Sequence, residues 1–264
     1  MKRTSLFLLF LVFVVSLSYS QESREVKKTI GLAKDGKVFI DTYKGSITIE
    51  TWDKPQVDVV ARIEPDGWDG DAKEIVERTV IDIDSSAGEV SIKSNYNRLK
   101  GHRSWFFGWF DDNNVTLPLI RYTISMPKTA RLSVQDYKSE SHIRNVHSSI
   151  DFNTYKGNVF IAGLEGSLDI ETYKGNVDVD WVKLEKDSRF KTYKGDMKIT
   201  LPKDAAFELD TDFGRRTDFT SDFDAVYHSK RHSGEEEMRG NVNGGGPMLH
   251  LSSEKGTYNL RARE

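Results

Sequence analysis

The chain has 264 residues, 38 basic and 41 acidic, and so carries a formal charge of −3. This mild acidity argues against a general nucleic-acid-binding protein, because such proteins present a basic surface. The absence of cysteine excludes disulfides, thiol catalysis and a lipid-modified cysteine. The length suits one elongated β domain.

The first 20 residues have the features of a secretory signal peptide. Lys2 and Arg3 precede a short apolar run at 6–15, and Ser20 is a small residue suited to cleavage before Gln21. The apolar run is shorter than the roughly 20 residues that a membrane span needs. We therefore expect a signal peptide at 1–20 and an exported mature domain at 21–264. That domain would be periplasmic, extracellular or at the cell surface, with no integral membrane span.

The mature chain contains little sequence that favours a helix. Only 71–78 has a helical pattern, and it is brief. Two segments depart from the β pattern of the rest and are expected to be insertions, near 94–114 and 215–246.

A four-residue unit, Thr-Tyr-Lys-Gly, dominates the mature chain. It occurs at 42–45, 154–157, 172–175 and 192–195, and the last three glycines are 18 and 20 residues apart. A fixed period of this size is typical of stacked supersecondary units. Looser copies occur at 86–92, 136–139, 211–214 and 253–256.

Each unit predicts a strand, a turn and a second strand. Apolar and polar residues alternate in 167–172 and again in 176–180, which is the pattern of half-buried strands. The alternation changes phase at Tyr-Lys-Gly, so the chain is expected to turn a corner there. Gly175 would supply a left-handed backbone conformation at that corner.

Two all-β architectures fit this unit. In a β-solenoid each repeat is one coil, and equivalent residues stack about 4.8 Å apart. In an antiparallel β-sandwich each repeat is a hairpin. Stacking explains why the corner sequence is repeated so closely, so the favoured fold is a single-domain, β-helix-like solenoid of about 18–20-residue strand-turn-strand repeats.

The pattern Thr-x-x-Gly-x-Val/Ile-x-Val/Ile recurs at this period, after an opening segment at 45–59 and a Met-Pro-Lys-Thr-Ala segment at 126–130. Over roughly 36–262 these features resemble the bacterial "putative adhesin" family of β-strand repeats, a domain of unknown function related to the head GIN-domain adhesins. The resemblance implies a β-solenoid-like fold and an envelope or surface location, and it implies no catalytic residues.

The first candidate site is a stripe of corner side chains. Stacked tyrosines stabilise a sheet, whereas stacked lysines repel one another, so a repeated lysine suggests a row that holds an acidic glycan while the tyrosine faces stack on sugar rings. Alternatively, the lysines are solvated and neutralised by Asp151, Glu171, Asp178 and Asp196. The threonines at 154, 172 and 192 are expected to form hydrogen-bonded structural rows. The stripe comprises Tyr155, Lys156, Tyr173, Lys174, Tyr193 and Lys194.

The second candidate is an aromatic segment at 103–110 that includes Trp105, Phe106, Phe107 and Trp109. It could be an exposed loop that binds a glycan, a protein or a membrane surface. Alternatively, it could be a cap over an end or side of the solenoid, because open sheet edges need cover.

Other motifs carry weaker signals. His228 and His232 precede glutamates at 235–237, but the surrounding charge and glycine favour a solvated loop over a zinc site. The segment 210–214 lacks the full ligand set of a calcium loop. The chain has no nucleophile elbow and no phosphate-binding loop, so we expect no catalytic residue, metal or cofactor.

The sequence therefore favours an exported envelope or surface protein that binds or scaffolds an acidic glycan or an envelope protein. An alternative is a non-adhesive periplasmic accessory protein of the envelope-stress type. A polysaccharide-active enzyme is a third interpretation. Oligomeric state is left open.

Overall fold

The computed structural model describes residues 23–67, 72–86, 88–99, 116–224, 228–232 and 235–263. They contain 19 strands, one α-helix (α1, Ala72–Arg78) and one 3-10 turn (Asn97–Leu99). The strands are β1 (Arg24–Gly31), β2 (Lys37–Asp41), β3 (Lys44–Trp52), β4 (Gln56–Glu64), β5 (Val80–Ser86), β6 (Glu89–Asn95), β7 (Leu119–Pro127), β8 (Arg131–Asp136), β9 (Lys138–Arg144), β10 (Ile150–Thr154), β11 (Asn158–Gly166), β12 (Leu168–Lys174), β13 (Val177–Leu184), β14 (Ser188–Lys194), β15 (Met197–Pro202), β16 (Phe207–Ser221), β17 (His228–His232), β18 (Glu235–Val242) and β19 (Met248–Arg263).

The strands form a parallel β-solenoid with two faces. The first face has the order β6-β2-β8-β10-β12-β14-β19-β16, and every neighbouring pair is parallel. The second face has the order β7-β3-β9-β11-β13-β15-β19-β16, again parallel throughout. Each coil crosses from one face to the other at the repeated corner, so the favoured fold is confirmed over the sandwich.

The coils do not stack in sequence order at either end. The first coil in the chain, made by β2 and β3, stacks between the β6–β7 coil and the β8–β9 coil. The last coil, β19, lies between β14–β15 and β16, and it pairs with strands on both sides along both faces. The outermost coil at each end is therefore not a terminal segment of the described chain.

Antiparallel strands cover both ends of the stack. At one end β4 pairs antiparallel with β7, β1 with β4, and β5 with β6. At the other end β18 pairs antiparallel with the first half of β16, and β17 pairs with β18. The segment 86–92 thus lies at the β5–β6 hairpin and not at a coil corner, so its interpretation as a loose repeat copy was wrong.

The segment 215–246 departs from the repeat only in part. Its first residues belong to the second half of β16, where Arg216 is in register with Lys255 and Phe219 with Tyr258. The remainder contributes β17 and β18 to the end cover. Within the described residues, no helix has the length and apolarity needed to cross a membrane.

The hydrophobic core lies between the two faces as stacked rows of side chains. On the first face Phe152, Ile170 and Phe190 are in register and at most 1% exposed. On the second face the row contains Val179 and Ile199, also at most 1% exposed. The change of phase at each corner explains this arrangement, because it turns the apolar positions of both strands inward.

The corner glycines allow close approach between stacked backbones. A Cβ added at Gly175 would lie 2.0 Å from the carbonyl oxygen of Gly157, and one at Gly195 would lie 2.1 Å from that of Gly175. The left-handed conformation expected at Gly175 was wrong: among the corner glycines only Gly45 and Gly256 have φ in that region, at 135° and 132°. Glycine is needed here because no side chain fits between adjacent coils.

We expect Gly175→Ala to lower the free energy of unfolding by about 2 kcal/mol or more, because the methyl group would force stacked backbones apart. Urea unfolding measures this change. Gly31→Ala is the matched control, since Gly31 has no atom within 4 Å of its added Cβ. Equal stabilities of the two variants would contradict the close-approach role.

Candidate functional site

Five tyrosines stack along the corner and form the tyrosine ladder: Tyr43, Tyr137, Tyr155, Tyr173 and Tyr193. Successive ring centroids are 4.6, 5.0, 4.8 and 4.8 Å apart, with interplanar angles of 12° or less. This spacing is that of adjacent β-strands. The corner peptides lock the register, since the amides of Lys138, Lys156 and Lys174 each donate to the tyrosine carbonyl one coil away at 2.8 Å.

The ladder leaves ring edges, and not ring faces, open to solvent. Each internal ring is covered on both faces by its neighbours, Tyr96 packs edge-on against Tyr43 at one end, and the Lys255 ammonium lies 5.7 Å from the Tyr193 ring centroid at the other. Tyr155, Tyr173 and Tyr193 remain 37–42% exposed. Stacking of sugar rings on the faces of the internal tyrosines, Tyr155 and Tyr173, is therefore sterically blocked.

Beside the ladder runs a line of basic side chains, here called the cation row: Lys44, Lys138, Lys156, Lys174, Lys194, Lys255 and Arg216. Lys44 is in register with Lys138, Lys174 with Lys194, and Lys255 with both Lys194 and Arg216. The sequence stripe therefore extends over more coils than the three lysines named above.

Most of the cation row has no acidic partner. Within the described part of the chain only Lys44 forms an ion pair, with Asp66 at 2.6 Å. The ammonium groups of Lys156 and Lys174 instead lie near tyrosine rings, 5.2 Å from the Tyr155 centroid and 5.4 Å from that of Tyr173. Because neighbouring tyrosines cover the faces of these two rings, the contacts leave the charge of each ammonium uncompensated.

Two of the acidic residues expected to neutralise the row are paired with other lysines. Glu171 pairs with Lys191 at 2.9 Å, and Asp178 pairs with Lys198 at 3.0 Å. Asp196 lies in the groove beside the cation row, where its carboxylate accepts a hydrogen bond from the backbone amide of Thr257. Asp196 therefore contributes one negative charge beside the row, whereas Glu171 and Asp178 are bound to lysines outside it.

The electrostatic cost of the row is visible at Lys255. Its pKa is lowered from the ordinary value, first by desolvation and then by repulsion from Arg216, Lys194 and Lys174. An anion placed along the row would relieve this repulsion, so the row is suited to binding a negatively charged ligand.

Immediately after each corner glycine, a further set of side chains links the coils and is here called the amide ladder: Asn158, Asn176 and Asp196. The side-chain oxygen of Asn158 accepts a hydrogen bond from the backbone amide of Asn176. In the same way the side-chain oxygens of Asn176 and Asp196 accept from the backbone amides of Asp196 and Thr257, and all three distances are 3.0 Å. These bonds orient the side chains beside the cation row. Their repeated position after the glycine was the sequence signal that could have identified them.

The inner threonine row is buried, but only part of it is hydrogen-bonded. Thr154 Oγ1 donates to Asp136 at 2.8 Å and accepts from the amide of Gly157. The hydroxyls of Thr172 and Thr192 are buried without a hydrogen-bond partner. The expectation of fully hydrogen-bonded threonine rows was therefore wrong for these two.

Asp136 occupies the threonine position in its own coil. Its carboxylate also accepts from the amide of Ser139 at 2.9 Å, while its second oxygen is buried and unpartnered. Burial raises the pKa of this carboxyl, and the hydrogen bonds from Ser139 and Thr154 offset only part of that rise.

Two grooves flank the corner and run across the coils. One, of about 590 Å³, borders the tyrosine ladder and also contacts Asn153, Glu171 and Glu254. The other, of about 520 Å³, combines the cation row with the amide ladder and is lined by Asn158, Lys174, Gly175, Asn176, Lys194, Gly195, Asp196, Arg216, Lys255 and Gly256. The second groove is the candidate site because it brings unpaired cations and oriented polar groups together.

The other sequence candidates do not contribute to this groove. The aromatic segment with Trp105, Phe106, Phe107 and Trp109 lies outside the described residues, as do the side chains of His228 and His232. Asp210 is bonded to His250 and Arg239. No cluster of three or more metal-ligating side chains occurs among the residues that the structure describes.

Comparison with known families agrees with this geometry. The family model described as Toastrack DUF4097 matches residues 5–260, which is nearly the whole chain. The chain belongs to the Toastrack DUF4097 family. No curated protein matches the sequence.

Solved structures similar to this Toastrack chain are distant in sequence. A "putative cell adhesion protein" from Clostridium sporogenes is 10% identical, with coverage of 92% of this chain and 100% of that one and a TM-score of 0.45. A "putative adhesin" from Bacteroides fragilis is 13% identical, with coverages of 92% and 99% and a TM-score of 0.46. A "putative lipid binding protein" from Parabacteroides distasonis is 9% identical, with coverages of 90% and 97% and a TM-score of 0.36.

Replacement of Asp136 by threonine, the residue of the next coils, should stabilise the Toastrack fold by about 0.5–2 kcal/mol at neutral pH. Because the folded-state pKa of Asp136 is raised, the wild type gains stability as pH falls and the carboxyl is protonated. The advantage of the variant should therefore shrink at acidic pH, as measured by urea unfolding across pH. Asp204→Thr, at an exposed position, controls for the loss of an acidic residue, and a pH-independent advantage for Asp136→Thr would refute the buried-charge explanation.

Tyr173→Ala should lower the free energy of unfolding by about 1–2 kcal/mol, because two stacked contacts are lost. Tyr173→Phe keeps both contacts and should remain within about 0.5 kcal/mol of the wild type. Chemical unfolding of the two variants provides the measurement. If the phenylalanine variant loses as much stability as the alanine variant, the hydroxyl and not the stack is the stabilising group.

Proposed function

We propose that the protein is an exported envelope or surface protein that binds an acidic polysaccharide along the cation row, without a catalytic step. In this proposal residues 1–20 are a cleaved signal peptide and 21–264 are the mature binding domain. The observation that carries the proposal is the row itself: basic side chains repeat in seven successive coils, and among the described residues only Lys44 has an acidic partner.

The physical basis is electrostatic relief. An isolated fold would be more stable with glutamine at each corner, since like charges in register destabilise a sheet. A bound polyanion converts that repulsion into several simultaneous attractions, each modest because the groups are exposed. Binding of this kind depends on many contacts and weakens as salt screens the charges.

The groove also supports binding in preference to simple solubility. Solubility requires dispersed charge of either sign, and the outer strands already provide it as ion pairs such as Arg189 with Asp169. The cation row concentrates one sign of charge along a line beside a groove. This arrangement is suited to a long, flexible anion that follows the solenoid axis.

We expect Lys156→Gln/Lys174→Gln/Lys194→Gln to weaken binding to polygalacturonate by about tenfold or more, because three contacts of roughly 0.5 kcal/mol each are lost. Co-sedimentation or calorimetry with mature protein, at low and high salt, measures the change. Neutral dextran serves as the uncharged probe.

The matched control is Lys34→Gln/Lys186→Gln/Lys203→Gln, which removes the same charge from exposed positions outside the row. It should bind polygalacturonate within about twofold of the wild type, given the distance of these loops from the groove. Equal losses in the two triple variants, or salt-resistant binding, would overturn the proposal. Release of new reducing ends from the polysaccharide would instead favour the enzyme interpretation.

A further inference from the structure

We propose that the groove recognises a polyuronate in which every sugar carries a carboxylate, with the polymer running along the solenoid axis and one sugar matched to each coil. This inference rests on the proposed function and adds to it the direction, the charge spacing and the length of the ligand.

The spacing of the site is set by the coil repeat. The tyrosine centroids beside the cation row repeat every 4.6–5.0 Å, which is the distance between neighbouring β-strands. An extended 1→4-linked sugar residue advances its chain by nearly the same length, and the flexible four-carbon lysine side chains can reach carboxylates on either side of the rotating sugar chain. Successive carboxylates of a polyuronate therefore meet successive cations, whereas a polymer charged on alternate sugars leaves every second cation unmatched.

The length of the site follows from which cations are unpaired. Lys44 at one end is occupied by Asp66. The groove itself holds four cations, from Lys174 to Arg216, and the row continues past Lys156 to Lys138. A full-length ligand thus spans six coils and places one carboxylate on each of six cations.

The amide ladder adds groups that recognise a sugar in addition to a charge. The side-chain oxygens of Asn158 and Asn176 each accept from a backbone amide, so their N–H donors are oriented and have no hydrogen-bond partner within the described part of the chain. They can donate to ring, glycosidic or hydroxyl oxygens. These two pairs of donors beside the ammonium groups favour a ligand that combines charge with neutral oxygen.

Asp196 distinguishes a sugar polymer from a polyphosphate. Its carboxylate lies in the same groove, accepts one hydrogen bond from Thr257 and retains a second oxygen as an acceptor. Sugar hydroxyls can donate to that oxygen. A polyphosphate has only anionic and bridging oxygens at neutral pH and can donate nothing to that oxygen, whereas each sugar of a polyuronate carries hydroxyl groups beside its carboxylate.

The test is calorimetric titration of the mature protein with galacturonate oligomers of two to ten residues. Affinity should rise with each added residue up to six and then level off, apart from the small statistical gain of longer chains. Hyaluronan oligomers with the same number of carboxylates, carried on alternate sugars, should bind about tenfold more weakly. Inorganic polyphosphate of equal charge should also bind more weakly.

Two variants with the same net charge test the role of the amide ladder. Asn176→Asp keeps the oxygen that accepts from the Asp196 amide, removes the two N–H donors and adds a negative charge to the groove. It should weaken hexagalacturonate binding about tenfold. Asn153→Asp adds the same charge at an exposed position in the other groove and should leave binding within about threefold.

The outcomes separate this inference from the function on which it rests. If no acidic polysaccharide binds, or if the triple lysine variant binds as well as the wild type, the proposed function itself fails. If polygalacturonate binds through the lysines but equal-charge hyaluronan or polyphosphate binds as tightly, the register inference alone fails. Equal effects of Asn176→Asp and Asn153→Asp would remove the amide ladder from recognition.

Discussion

Close backbone approach at the corner is the constraint on which the rest of the structure depends. Each corner glycine lies so near the carbonyl oxygen of the next coil that no side chain fits between them. This contact holds equivalent residues in register. Hydrogen bonds of 2.8 Å from the lysine backbone amides at the corner to the tyrosine carbonyls of the adjacent coil maintain the same register. Every ladder along the corner follows, because a residue at one repeat position must lie beside its counterpart in the next coil.

The same register explains why the corner combines stabilising and destabilising rows. Tyrosines in register stack and stabilise the fold, and the amide ladder satisfies backbone donors between coils. Lysines in register repel one another, and at Lys255 this repulsion adds to desolvation in lowering the pKa of the ammonium. A structural requirement alone would favour a neutral residue after the tyrosine, and this is the reason for proposing a ligand that supplies the missing negative charge.

Much of this architecture could be predicted from the repeat. The period, the alternation and the shared corner sequence indicate stacked coils, and α1 lies where the only helical pattern occurs. The spatial order of the end coils could not be predicted, because β2 and β19 pair with strands distant in sequence. The corner glycine was assigned to backbone conformation, since a sequence does not show the carbonyl oxygen that a side chain would strike.

The site was predicted only in part for a similar reason. The motif identified Tyr155, Lys156 and their exact repeats. It did not identify Lys138, Lys255 and Arg216, which lie in degenerate copies of the motif and belong to the row because they are in register with its other members. The partners of individual charges depend on outward-facing neighbours in adjacent coils. Glu171, for example, lies closest to Lys191, which is 20 residues away in sequence.

The most direct test of the account is NMR of the mature protein with ¹³C-dimethylated lysines during titration with polygalacturonate. The account predicts that the resonances of Lys138, Lys156, Lys174, Lys194 and Lys255 shift together and saturate at one ligand concentration. Resonances of the paired surface lysines Lys191 and Lys198 should stay in place. Equal shifts at Lys191 and Lys198, or shifts spread over all lysines, would contradict a binding line along the corner.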